Sequence, residues 1–266
     1  MDFAKKEFKA VFKEPMEALG FTYAGNCFYR QINDVLQTLT LSATKWNFSF
    51  QHLITPLCIP LSRVLPSGHL GPTEKEKRDP LFGKLPPSFV RRDIAPIPFV
   101  RKYNKKNIRA RMYEGFECVV NESVPFFEKG TNTKSAYDAV IADQRKICRF
   151  DAGYILHDNT LKWMALVNRD YDCAYMHQAA MICQNMGLFS PNITEKVILS
   201  PAIRKQWETY SDNDPPHLKE SRDFLWRIIN KDDAYFAKLI EERTKITLNF
   251  LAKVDKSPCK YGSCRY

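Results

Sequence analysis

The densest charged feature of this chain runs from Arg91 to Arg111. It holds Arg91, Arg92, Arg101, Lys102, Lys105, Lys106, Arg109 and Arg111 against the single acid Asp93, with Phe99 and Tyr103 among them. Cations interleaved with aromatics suit phosphate contacts combined with base stacking. On a helix beginning near Lys105, residues 105, 109 and 112 share one face, so part of the charge is expected to form a stripe. These eight cations are the candidate site for an anionic partner. A solvated linker and helix surface accounts for the same residues and is the preferred reading, because charge runs are common on ordinary surfaces.

Four smaller constellations could carry chemistry. Cys173 and His177 stand four apart on an expected helix, a spacing that suits two metal ligands. Zinc needs at least a third ligand and no partner pair is present, so packing is the better reading. Cys259 and Cys264 frame Lys-Tyr-Gly-Ser too widely for a short zinc knuckle. Asp170 and Asp172 precede an apolar helical stretch, where a helix cap and a favourable dipole contact explain them better than acid–base work. His52 shares a strand face with Phe48 and Phe50; a histidine there is usually a hydrogen-bonded core residue and only rarely a catalytic base. No Walker loop, Rossmann glycine fingerprint, nucleophile elbow or paired metalloprotease histidines occur. No metal, cofactor or catalytic residue is assigned.

Composition sets the class. The chain has 266 residues, 44% hydrophobic and 26% charged, which is ordinary for a globular protein of one large or two small domains. A formal net charge of +10 favours acidic partners, or serves solubility alone. The absence of a long uncharged apolar run and of an apolar leader segment leads us to expect no membrane span and a cytoplasmic location. The eight cysteines are then reduced, and their scatter suits buried small hydrophobes.

The elements that must position these residues read as follows. An opening helix carries Phe8, Val11, Phe12, Met16 and Leu19 on one face and stops at Gly20. The period then switches to two. Gly25-Asn26 is expected to close a first hairpin and Asn33-Asp34 a second. Over Val35 to Thr44, Val35, Leu39, Leu41 and Ala43 form a dry face and Thr38, Thr40, Ser42 and Thr44 a wet one. After a turn at Lys45-Trp46, Phe48, Phe50, His52 and Ile54 alternate with polar residues. The dry face needs a roof, and the first helix is the nearest.

Nine prolines punctuate Pro56 to Pro98. Thr73 to Asp79 is a charged loop there, and Phe89–Val90 and Phe99–Val100 are short runs that could extend a sheet edge. Helical periodicity returns with Ile108, Met112, Phe116, Val119 and Val120, and Pro125 should stop or kink that helix near Val124. A helix over Lys134–Lys146 follows, then helices over Thr160–Asn168, Tyr171–Met186, Pro201–Tyr210, Pro216–Ile229 and Asp232–Val254. No convincing internal repeat is visible, although successive helix pairs could stack as an array. The expected fold class is α+β: an N-terminal helix packed on an antiparallel β-meander, followed by a mostly α-helical C-terminal half. Residues 1–130 form the α+β module, with the proline-rich segment 56–99 inside it, and residues 131–266 the helical region.

The opening helix, the Leu19-Gly20-Phe21 junction, Phe28-Tyr29-Arg30 and Leu36-Gln37-Thr38 together resemble the bacterial domain-of-unknown-function family 4304. Members begin with a helix ending in a Gly-Phe step, then a strand with an aromatic-Arg pair, then a strand with a Gln and Ser/Thr alternation. The helix near Ile108–Phe127 is similar to the family's later helix. The resemblance covers the first half at most, and no catalytic residue carries over. It implies an accessory or immunity role in bacterial conflict systems, an association rather than a mechanism.

The leading expectation is therefore a non-enzymatic, protein-binding module of the bacterial cytosol. Its target is acidic or neutral, because an inhibitor of a basic nuclease would itself be acidic. The first alternative is nucleic-acid binding through the Arg91–Arg111 segment. The second is an enzyme with a site in a cleft between sheet and helices, using His52 or the Asp170/Asp172 region.

Overall fold

The computed structural model describes residues 2–24, 27–59, 100–138, 159–185, 201 and 216–254. Arg91, Arg92, the Gly25-Asn26 turn, the Thr73–Asp79 loop, Phe89–Val90, Cys259 and Cys264 lie outside the described residues. The fold is α+β, with an N-terminal helix, a five-stranded antiparallel sheet and helices in the C-terminal half. Two compact units divide the chain. The described residues up to 55 and over 100–138 belong to the first; those over 56–59, 159–185 and 216–252 belong to the second.

In the first unit, helix α1 (Asp2–Ala18) buries Ala4, Phe8, Val11, Phe12 and Met16. It ends in a Schellman motif. Phe21 N–H reaches Met16 O at 2.9 Å, Gly20 N–H reaches Glu17 O at 2.9 Å, and Gly20 takes φ +82°. That turn carries Phe21 into the core and leaves Leu19 38% exposed, so Leu19 does not belong to the buried face. The physical reason is that Leu19 lies past the last helical turn, where the stripe no longer faces the sheet.

The strands β1 (Thr22–Ala24), β2 (Cys27–Ile32), β3 (Val35–Ala43), β4 (Asn47–Pro56) and β5 (Val100–Lys102) lie side by side in that order. The pairs Ala24↔Cys27 and Ile32↔Val35 close two tight hairpins, the second with Asn33 at φ 48°. β5 completes the edge by pairing with β4, Asn47 opposite Lys102. Under α1, Phe8 meets Phe28 at 5.1 Å between ring centroids, and Phe12 meets Phe50 at 5.1 Å. Leu39 and Leu41 are buried, as the alternation requires. The expected wet face of β3 is wet only at its far end. Leu36 and Thr38 are buried there, beside Cys27 and Tyr29 from β2, while Ser42 is exposed. Leu36 is an apolar residue on the polar-reading face, and it marks where that face is covered.

Helix α2 (Ile108–Cys118) leads through a π-helical turn at Val119–Ser123 into α3 (Val124–Lys129). Pro125 lies in the first turn of α3 and supplies no N–H to the preceding ladder. The chain widens there, with Val124 N–H bonding back to Val119 O. The buried face then runs through Val119, Ser123 and Phe127, and Val120 turns out to 42% exposure against its expected place in the stripe.

The second unit contains α4 (Asn159–Val167), α5 (Tyr171–Asn185), α6 (Pro216–Ile229) and α7 (Asp233–Val254). These form two helical hairpins with one connector design. Arg169 (φ 57°) and Lys231 (φ 52°) hold equivalent left-handed positions. Asp170 N–H bonds Ala165 O at 2.8 Å, and Asp232 N–H bonds Arg227 O at 3.0 Å. Asn168 and Asn230 each return a side-chain amide to the carbonyl four residues back, on Met164 and Trp226. Asp170 caps α5 through Cys173 N–H, and Asp232 caps α7 through Tyr235 N–H. The connectors stand together, with Tyr171 O–H donating to Asp233. The two connectors thus share one local geometry. The likeness is confined to the connectors Asn-Arg-Asp and Asn-Lys-Asp.

Candidate functional site

The basic segment is placed by β5 and by the turn that starts α2. Asn104 and Asn107 organise that turn: Asn107 Oδ1 accepts from Asn104 N–H at 2.7 Å, and Asn104 Oδ1 accepts from Lys106 N–H at 2.9 Å. The helix starts at Ile108, so Lys105 lies before it, and Met112 is fully buried. The expected stripe of 105, 109 and 112 on one helix face therefore does not form.

The arginines are engaged within the unit. Arg111 Nη1 lies 2.7 Å from Glu114 Oε1, Arg101 Nε 3.3 Å from Glu114 Oε2, and Arg109 Nε 3.3 Å from Glu7 Oε2. Lys102, Lys105 and Lys106 are exposed and form no ion pair among the described residues. Lys105 lies over the Phe3 ring at 4.8 Å. Beside them is a residue that the charge pattern did not single out. Trp46 is 63% exposed at the β3–β4 turn, with Lys45 4.8 Å from its ring centroid. The turn is held firmly: Thr44 Oγ1 accepts from Trp46 and Asn47 N–H, and Tyr103 N–H reaches Trp46 O at 2.9 Å. Tyr103 O–H donates to Thr44 O at 2.6 Å. Trp46, Lys45 and Lys102 therefore occupy one end of the sheet on a rigid frame.

His52 is 4% exposed, with Nδ1 2.8 Å from Ser123 Oγ and its ring stacked on Phe126 at 4.4 Å. Ser123 is fully buried. This pair is a polar tie between β4 and the π turn inside an aromatic core. Arg30 and Gln37 meet directly. Arg30 Nε donates to Gln37 Oε1 at 2.7 Å and Arg30 Nη1 to Leu19 O at 2.6 Å. Gln37 Nε2 donates to Phe127 O and Gly130 O at 2.7 and 2.9 Å. One buried glutamine thus satisfies the end of α3 and fixes the arginine that closes α1.

In the second unit, Cys173 and His177 are buried packing residues on α5, and Asp170 is a cap. No group of three or more histidine, cysteine or acidic side chains gathers among the described residues to hold a metal. No described helix is long and apolar enough to cross a membrane. Lys162 is the group that sequence reading missed. It is fully buried, with Nζ 2.8 Å from Gln178 Oε1 and 4.9 Å from the Phe224 ring centroid. Gln178 Nε2 in turn donates to Ser221 O at 3.1 Å. Burial pushes the Lys162 ammonium down to about 7, and the Arg243 charge adds to the effect. The only sequence signal was a lysine between Leu161 and Trp163 in an otherwise apolar turn.

No family model matches this chain, and no curated protein or solved structure matches it.

Proposed function

We propose that this chain is a non-enzymatic binding protein of the bacterial cytoplasm whose partner is a protein with an acidic face. The observation that carries this reading is Trp46, 63% exposed on a hydrogen-bonded turn, with Lys45 beside it and Lys102 on the adjoining strand. A rigid exposed tryptophan loses little entropy on contact and is the residue type most often dominant at protein interfaces. Lysines that form no ion pair among the described residues add steering toward a negative surface. The resemblance to family 4304 in Arg30, Gln37 and the Gly20-Phe21 step supports an accessory or immunity role on the same footing. Nucleic-acid binding is less favoured, because Arg101, Arg109 and Arg111 are already committed to Glu114 and Glu7.

The test is capture of partners from a bacterial lysate by the full chain, beside Trp46→Ala, with co-encoded neighbouring proteins assayed directly. The expected result is a discrete acidic protein partner whose recovery falls at least tenfold with Trp46→Ala. Equal recovery with both forms overturns the reading.

A further inference from the structure

Arg243, Trp163 and Thr247 leave buried polar atoms without a hydrogen-bond partner: Arg243 Nε and Nη1, Trp163 Nε1 and Thr247 Oγ1. They are neighbours. The Arg243 guanidinium carbon lies 4.5 Å from the Trp163 ring centroid, and Thr247 stands one turn further along the same face of α7. Trp163 is fully buried and Thr247 is 1% exposed. The Lys162 ammonium, 5.8 Å from the same indole ring, brings a second positive charge to this place. Among the described residues no carboxylate pairs with Arg243; the groups that favour its charge are Cys58 and Tyr235, and Lys162 opposes it.

Buried guanidinium N–H groups without an acceptor are costly, and native structures rarely leave several orphans in one spot. The orphans here are all able to donate. α4 and α7 offer two guanidinium nitrogens, an indole N–H and a hydroxyl in one neighbourhood; a carboxylate presents its lone pairs in a single plane, whereas a tetrahedral oxyanion accepts from donors set in different planes. We infer that the second unit holds a buried binding site for a phosphoryl group, built on Arg243, Trp163 and Thr247 and flanked by Lys162. The phosphoryl group is inorganic phosphate or the phosphate end of a small phosphomonoester. Arg243 supplies the charge-assisted hydrogen bonds, Trp163 and Thr247 fix the orientation, and Lys162 adds positive potential while held by Gln178. This site belongs to the second unit and the Trp46 surface to the first, and each stands or falls on its own test.

The experiment is calorimetric titration of the full chain in chloride buffer with inorganic phosphate, glycerol 3-phosphate and, as the carboxylate comparator, acetate, with thermal melts in parallel. The expected result is saturable binding of at least one phosphate probe, a raised melting temperature, and acetate at least tenfold weaker. Arg243→Gln is expected to weaken phosphate binding at least tenfold, and without phosphate it melts no lower than the parent, since it removes an uncompensated buried charge. Thr247→Val, which takes away only a hydroxyl, is expected to weaken binding several-fold and carries the variant arm if Arg243→Gln does not fold. Lys102→Ala/Lys105→Ala is expected to bind phosphate as the parent does. Absence of saturable phosphate binding, acetate binding as tight as phosphate, retention of full affinity by Arg243→Gln or Thr247→Val, or loss of it in the lysine pair overturns the site.

Discussion

Lys162 bears the clearest single electrostatic cost in the described structure. Its folded value near 7 stands below the ordinary lysine value of 10.5. Between those values the unfolded chain holds the proton and the folded chain does not. Stability from this group therefore rises as pH rises from 7 toward 10.5, and the full penalty applies below 7. Urea unfolding in phosphate-free buffer should show the parent gaining about 2 kcal/mol on Lys162→Met between pH 7 and pH 9. Parallel pH profiles for the two proteins would contradict the burial of that charge. Gln37 is a second residue whose chemistry is specific, since its amide must donate twice and accept once. Gln37→Glu keeps the size but loses both donors to the carbonyls of Phe127 and Gly130. Denaturant titration should record a loss of about 2–4 kcal/mol.

The elements obey local rules where those rules are strong. The Schellman turn at Gly20 and the caps at Asp170 and Asp232 were readable or nearly so, because a cap is decided within a few residues. The left-handed positions at Arg169 and Lys231 were not, because nothing marks a lysine or arginine as lying there until the backbone is seen. Replacing Lys231 with glycine should therefore stabilise the second hairpin by about 0.5–1 kcal/mol, measured by urea unfolding. A destabilised variant would show that the lysine side chain does more than occupy the turn. The π turn ahead of Pro125 shows the converse case. The proline announced a break, but only the structure shows that the break carries Ser123 to His52.

A net charge of +10 is in the range of nucleic-acid-binding proteins, yet its distribution speaks otherwise. Exposed arginine–glutamate pairs each contribute little to stability, about 0–1 kcal/mol, but they withdraw those arginines from an outside anion. Among the described residues, the cations outside ion pairs at that end of the first unit are lysines beside Trp46 and Phe3. Binding to random-sequence DNA or RNA should be weak at low salt, with a shallow salt slope, measured by fluorescence anisotropy. A steep slope, abolished by Lys102→Glu/Lys105→Glu, would instead establish the nucleic-acid alternative.

The amino-acid order specified the helix, the meander and which of their faces turn inward, because hydrophobic period is a local property that two neighbouring elements read in the same way. Phe8, Leu39 and Phe50 were legible as core on that ground alone. Period says nothing of which side chains meet across distant segments. Glu7 reaches Arg109, Gln37 reaches Gly130, and Lys162 shares its surroundings with Arg243 only once the chain has folded. Packing decided which cations are spent on internal acids, which stand free beside Trp46, and which are buried beside donors that still lack an acceptor.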